Sequence, residues 1–296
     1  MSAHSQAVGK ASGSRRAKDA AFRLGMFICL GLAFAMLAVL LVDIAADGAG
    51  NLTWEFISSF SSINADQSGI QAALWGTIWL MGVCALFIVP VGVATAIYLE
   101  EYADETRWYN RLIDLNIQNL AAVPSIVYGI LGLAFLVRGP LSLGPVILAG
   151  GLTLGLLVLP VVIIAGREAI RAVPPSIREG SMALGATQWQ TIWKQVLSAA
   201  VPGIATGVIL ALARAIGETA PLIVVGAATF LAFNPSGPTD FFTAMPIQIF
   251  DWISRPSNDV NDYRPLAAAG ILLLMILLLA MNSVAIWLRN RYEQKW

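Results

Sequence analysis

Five stretches of about twenty or more predominantly apolar residues dominate the chain, at 22–45, 71–99, 117–137, 141–166 and 265–288. A helix needs about 20 such residues to cross the hydrocarbon core of a bilayer. Only helices and closed barrels satisfy every backbone hydrogen bond there. Runs of this length therefore predict an all-α membrane protein. A sixth apolar region, 199–233, is too long for one straight span at ~1.5 Å per residue and too short for two spans and a turn. Pro221 offers the break, because it lacks an N–H and clashes with the preceding turn. The reading is a span at 199–219, then a short apolar segment that re-enters or packs at the far face. Six transmembrane helices are expected.

Composition removes the competing classes. Only 12% of the 296 residues are charged, against roughly 25% in soluble domains, and 57% are hydrophobic, which excludes a disordered chain. The formal charge is zero, so the basic excess of a nucleic-acid binder is missing and no nucleic-acid partner is expected. Cys29 and Cys84 each lie inside an apolar run, and the single histidine, His4, lies in a polar tail. Neither a disulfide scaffold, nor histidine catalysis, nor a metal site is expected. Without a G-x-x-x-x-G-K-[ST] phosphate loop, the chain has no means of hydrolysing ATP itself.

The charges are distributed, not absent. Lys10, Arg15, Arg16, Lys18 and Arg23 precede the first run, which is too long for a cleavable signal and carries no small-residue cleavage site. The positive-inside rule then places both termini, 100–116 and 167–198 in the cytoplasm. Fourteen basic residues fall inside, and only Arg138, Arg255 and Arg264 outside. Acidic residues divide nine inside and eight outside, so the two faces carry +5 and −5. An acidic outer face repels a free anion and suits a substrate handed over by a carrier. The expected organisation is a cytoplasmic tail without a folded core at 1–21, a first transmembrane helix at 22–46, and a membrane domain at 70–290. The outer loops 46–70 and 234–264 are rich in Ser, Asn, Asp and Gly, and Pro235, Pro238, Pro246 and Pro256 predict turns rather than one long helix in the second.

Three segments carry chemistry. In 167–198, Ile177, Met182, Ala183, Ala186, Trp189, Ile192, Trp193 and Val196 recur at helical spacing and describe an amphipathic helical hairpin. It is either a docking knob or an ordinary interfacial helix pair. In ALARAIGETAPLIVVG, 211–226, Arg214 and Glu218 share one helix face within a span. Intramembrane charges mark a pathway by default, although a self-neutralising tether explains the pair as well. Arginine matches phosphate-like oxyanions through two parallel N–H···O bonds. A glutamate beside it is suited to accept a hydrogen bond from a protonated HPO₄ oxygen, or merely to hold Arg214. In AAVPSIVYGILGLAF, 121–135, Pro124 breaks the span near its inner third and Ser125 offers a hydroxyl that lines the path or bonds back to its own helix. Gly151 with Gly155 and Gly203 with Gly207 form G-x-x-x-G packing steps.

The stretch REGSMALGATQWQTIWKQVLSAAVP, 178–202, resembles the E-A-A, x₃, G loop of ABC-importer permeases, with Glu179, Gly180 and Ser181 at the triplet and Gly185 at the glycine. Gln195 and Ser198 depart from its closing residues. Together with PSIVYGILGLAF and ARAIGETAPL, the chain resembles the permease of the phosphate-specific ABC importer, PstA type, over about 70–288. The resemblance implies a type I ABC-importer permease fold in a prokaryotic inner membrane and a non-catalytic subunit of an ATP-driven phosphate importer. It implies docking of the ATPase at Glu179, Gly180, Ser181, Ala183, Leu184 and Gly185. The path would include Arg214, Glu218, Ser125 and, at its inner end, Arg171. The implied partners are a second permease (PstC type), a dimeric ATPase (PstB type) holding ATP and Mg, an external phosphate-binding protein (PstS type) and membrane lipid. A permease for sulfate or molybdate, and a proton-coupled secondary transporter using Glu218, are the alternatives.

Overall fold

The computed structural model describes residues 13–104, 106–256 and 262–292. The tail residues His4 and Lys10, and Glu293 and Lys295 at the other end, lie outside them. Its α-helices are α1 (Gly13–Gly48), α2 (Trp54–Ser58), α3 (Gln71–Ile97), α4 (Trp108–Leu120), α5 (Ser125–Leu131), α6 (Ile147–Arg171), α7 (Pro175–Ala183), α8 (Gln188–Thr191), α9 (Leu197–Ile216), α10 (Ala220–Val225), α11 (Met245–Ser254) and α12 (Arg264–Tyr292). Looser i→i+5 turns extend α3 over Tyr98–Tyr102, extend α5 over Gly132–Val137 and join α8 to α9 over Ile192–Val196.

Among the described residues, five helical segments are long and apolar enough to cross a membrane: Lys18–Asn51, Gln71–Tyr102, Ile147–Arg171, Gln188–Ile216 and Arg264–Arg291. The pair Trp108–Leu120 and Ser125–Val137, bent by 112°, makes a sixth when counted as one broken span. Lipid tails are as apolar as leucine, so these helices associate through close packing of small residues rather than through burial of apolar area. A Cβ placed on Gly151 would lie 2.6 Å from Val83, and one on Gly155 2.6 Å from Phe87, so α3 and α6 run parallel in tight contact. Further along α6, Gly203 sits against Ala169 and Gly207 against Ala165, at 2.6 and 2.4 Å from a built Cβ. That descending order makes α9 antiparallel to α6. Both glycine pairs are packing steps, as expected. The centre of the bundle is an apolar cluster that includes Leu80, Ile88, Leu154, Val158, Ala211, Ala215 and Phe242.

The register between α6 and α9 sets depth. Continuing its four-residue step puts Arg214 level with Val158, roughly 20 Å along α6 from Arg171 and ~16 Å from Ile147. The pair of charges therefore lies near mid-depth. By contrast α1 stands apart. No residue of its most apolar window is buried, and it closes on the bundle at Gly48, which abuts the backbone of Ala268 and Ala269.

Several expectations change. The run 117–137 is not one straight span. α4 and α5 meet at 112°, because Pro124 disfavours helix at the residue before it and because 108–120 is amphipathic, burying Asn110 and Ile117 while exposing most of its polar residues. Pro124 therefore caps α5 rather than interrupting a span. The break after α9 falls at Gly217–Thr219, and Pro221 follows it inside the first turn of α10, where a missing N–H is no loss. α10 is the short apolar segment anticipated, packed against α5 with Gly129 beside Pro221. The region 167–198 is not a self-contained hairpin: α6 continues to Arg171, and Gln188–Ile216 is one helix. The fourth span starts at Ile147, not 141, after a turn in which Gly144 has φ +79°. The outer loop 234–264 holds α11, whose Met245, Ile247, Gln248 and Trp252 are fully buried. α1 begins at Gly13, since the Arg, Lys and Ala residues before the apolar run are good helix formers.

Candidate functional site

Arg214 occupies the last turn of α9, where the free carbonyls of the helix end favour a cation. Beyond it the chain turns sharply: Gly217 N–H donates to the Arg214 carbonyl and Glu218 N–H to the Ala215 carbonyl, each at 3.2 Å. That turn sets Glu218 back beside Arg214, with Nε to Oε1 at 3.5 Å. The contact is long, uses one guanidinium nitrogen, and leaves the arginine side chain 43% exposed. Among the described residues the two terminal nitrogens have no hydrogen-bond acceptor. The pair therefore holds a charge in place and leaves uncommitted the N–H edge of the two terminal nitrogens, the edge through which a guanidinium pairs with an oxyanion.

Val123 packs in the same apolar cluster as Ala211 and Ala215, and the Tyr128 phenol is close enough to Arg214 for an electrostatic interaction. Tyr128, which sequence reasoning did not single out, donates to the Leu120 carbonyl at 2.8 Å and so pins the α4–α5 bend. Ser125 opens α5, half-buried, three residues before Tyr128 on the same helix face. The structure thus brings Arg214 and Glu218 together and sets Tyr128 within electrostatic range of Arg214, on the helix that Ser125 opens. It does not bring Arg171 there.

Arg171 ends α6 in an ion-pair layer at the hairpin end of the bundle. Its Nε and Nη2 donate to the two oxygens of Glu100 at 2.9 and 3.0 Å, and its Nη1 to Glu168 at 3.5 Å. Arg167 lies 3.5 Å from Glu100 and also pairs with Asp114 on α4. Arg178, on α7, donates to Glu101 at 2.6 and 3.0 Å and to the carbonyls of Val173 and Ile170. The readable sign of this layer was Glu100-Glu101 following a span on the same side as Arg167, Arg171 and Arg178.

The hairpin itself is α7, a left-handed Gly185 with φ +88°, and α8. Thr187 and Gln190 form a capping box that starts α8, and Ser181 shares a 2.9 Å hydroxyl contact with Thr191 that closes the two helices. Glu179, Gly180, Ala183, Leu184 and Gly185 all face outward, and Leu184 is 91% exposed. Ser181 alone of the expected docking residues turns inward. Exposed Met182, Trp189 and Trp193, the two indoles edge-to-face at 5.4 Å, extend the apolar part of this surface.

The backbone is similar to that of a bacterial alginate ABC transporter solved in complex with an alginate pentasaccharide-bound periplasmic protein, with a TM-score of 0.68 at 16% identity over 95% of this chain and 97% of that one. The likeness shows the type I ABC-importer permease fold, here a multi-pass helical bundle with a two-helix hairpin at one end and a charge pair at a broken span. The family described as "Binding-protein-dependent transport system inner membrane component" matches residues 88–295, and the chain belongs to it. It is 32% identical over 281 residues to the probable ABC transporter permease protein YqgI of Bacillus subtilis, covering 92% of this chain and 95% of that one. It is 36% identical over 225 residues to the phosphate transport system permease protein PstA 1 of Mycobacterium tuberculosis, covering 75% and 70%.

Proposed function

We propose that this subunit forms half of a translocation path for inorganic phosphate, with a second homologous permease supplying the other half. The observation that carries the reading is the Arg214 guanidinium: at mid-depth, largely unsatisfied, and tethered loosely by Glu218 where the span breaks. An arginine in that state offers a fork to two oxygens of an oxyanion. Glu218 would accept a hydrogen bond from the protonated oxygen that HPO₄ has and sulfate lacks, and the Ser125 hydroxyl would face the same space. At the inner end Arg171 is held by Glu100, so an anion leaving the path meets a competing carboxylate. Similarity to proteins named as phosphate permeases supports the choice of substrate.

In this reading an external phosphate-binding protein delivers the anion and both termini are cytoplasmic. A dimeric ATPase, which holds ATP and Mg, receives Glu179, Gly180, Ala183, Leu184 and Gly185, while Ser181 keeps their hairpin closed. The work of this chain is positional and electrostatic. Phosphate uptake by vesicles containing the whole complex tests it. Arg214→Ala should lower uptake roughly tenfold to a hundredfold, the loss of a charged hydrogen-bond set, with assembly intact. Undiminished uptake by a fully assembled Arg214→Ala complex would make the pair structural.

A further inference from the structure

A second arginine is placed against expectation. At the hairpin end, α3, α9 and α12 enclose a groove of about 430 Å³ lined by Val89, Val93, Val201, Ile204, Val208, Ala285 and, as its single charge, Arg289. Val89 and Val201 are more than one-third exposed, so the groove opens sideways toward lipid. A long basic side chain near a helix end ordinarily snorkels to water. Arg289 instead lies along α9, its Nη1 donating to Thr206 Oγ1 at 3.3 Å, while Nε and Nη2 donate to Asn290 Oδ1 at 3.2 and 3.1 Å. The Thr206 hydroxyl is itself committed to the Pro202 carbonyl at 2.9 Å. Three of the five guanidinium donors are thus used, and among the described residues no carboxylate answers the charge.

Depth decides what can. Thr206 lies between Gly203 and Gly207 in sequence, so the α6–α9 register places it at the depth of Gly166 and Arg167, level with the ion-pair layer at the hairpin end of the bundle, where charged side chains reach the headgroups. An apolar groove with an arginine at headgroup level fits one kind of molecule: an acyl chain carrying a phosphodiester. We propose that this groove holds an anionic phospholipid of the hairpin-side leaflet, its phosphate on Arg289 and one chain along Val208 and Val89. A zwitterionic lipid brings a second positive charge to the same arginine, and free phosphate has nothing to set against the apolar wall. Basic pockets between membrane helices recognise anionic headgroups on this principle. The site is separate from the Arg214 pair and does not depend on the substrate.

The test is native mass spectrometry of the whole transporter, equilibrated with phosphatidylglycerol or phosphatidylcholine. Phosphatidylglycerol should be retained preferentially, Arg289→Gln should lower its retention roughly tenfold, one charged contact's worth, and Ala285→Trp should lower retention by filling the groove. Equal retention of the two lipids, or unchanged retention in Arg289→Gln, overturns the proposal. So does displacement of the lipid by excess inorganic phosphate, which would mark a free-anion site. Glu293→Gln checks for an internal partner one turn along the sequence: unchanged retention supports the lipid, and a tenfold rise assigns Arg289 to that glutamate instead. A photoreactive residue at Val201 separates occupants directly. An adduct of phospholipid mass supports the site, and one of subunit mass gives the groove to a protein helix.

Discussion

Arg178 gives two hydrogen bonds to one oxygen of Glu101, at 2.6 and 3.0 Å, across 77 residues of sequence. The contact fastens the first helix of the hairpin to the end of α3, and two further bonds to Val173 and Ile170 fasten it to the end of α6. Both partners are mostly buried, at 21% and 8% side-chain exposure. Removing Arg178 alone strands a carboxylate, a change that costs about 3–5 kcal/mol in buried pairs. Arg178→Met should lower the melting temperature of the complex and weaken ATPase stimulation by the binding protein. The double variant Arg178→Met, Glu101→Leu should recover most of the stability but not the stimulation. Full recovery of both would show that the pair serves stability only.

Selectivity is the sharper question at the charge pair. Glu218→Gln keeps the shape and the contact to Arg214 but adds an N–H donor where a carboxylate accepted. Sulfate, which carries no proton at neutral pH, should then compete with labelled phosphate for uptake, having failed to do so in the parent complex. Competition that stays absent would leave Glu218 as a tether of Arg214.

The two hairpin glycines should behave oppositely. Gly185 has φ +88°, a conformation that costs other residues about 1–2 kcal/mol, so Gly185→Ala should destabilise the hairpin and Gly185→Asn should do so less. Gly180 lies inside α7 with open space around it. Gly180→Ala should favour α7 by about 1 kcal/mol. If ATPase recovery in pull-downs nevertheless falls, as expected for a contact residue, the loss belongs to docking and not to folding. Glu179→Lys should lower recovery further while leaving membrane insertion unchanged.

An acid-sensitive clasp closes the other end of the bundle. Asp240 accepts from the Ser236 hydroxyl and amide at 2.7 Å each and from the Gly237 amide at 3.1 Å, which holds its carboxyl below the usual carboxylate range. The same loop presents the Asp240 and Pro238 carbonyls to the first amides of α6, Ile147 and Leu148. A depressed carboxyl contributes stability that is complete above its unfolded value of about 3.9 and is lost as pH falls through the folded value. Hydrogen exchange at Ile147 and Leu148, corrected for intrinsic rates, should accelerate over that acidic window. In Asp240→Asn it should already be fast and show no such step.

The run lengths in the sequence were enough to locate α3 and α12 to within a few residues, because a membrane demands a minimum length and tolerates little polarity, whereas α6 is displaced from its run by the turn before Ile147. They misled at 117–137, where Ile117 and Leu120 belong to the apolar face of α4 and only the preceding polar residues, from Asn110 on, disclose it. α11 was hidden by its proline: Pro246 reads as a turn, yet sits in the first helical turn, where it does no harm. At the candidate site, Arg214 and Glu218 were legible because four residues on a helix fix a neighbour. Glu100 with Arg171, and Glu101 with Arg178, were not, since tertiary packing alone brings residues 71 and 77 positions apart together.

Gln188–Ile216 is a single helix that starts in the hairpin and ends beside the charge pair. Its 29 residues make a rod of roughly 43 Å. Its contact with Ala165 and Ala169, through Gly203 and Gly207, divides the rod into a hairpin arm of roughly 26 Å and an inner arm of about 14 Å. Pivoting there, a rigid rod delivers a hairpin displacement to the Arg214 end reversed in sense and roughly halved, so that ~2 Å at the hairpin becomes ~1 Å beside the 3.5 Å contact of Arg214 with Glu218.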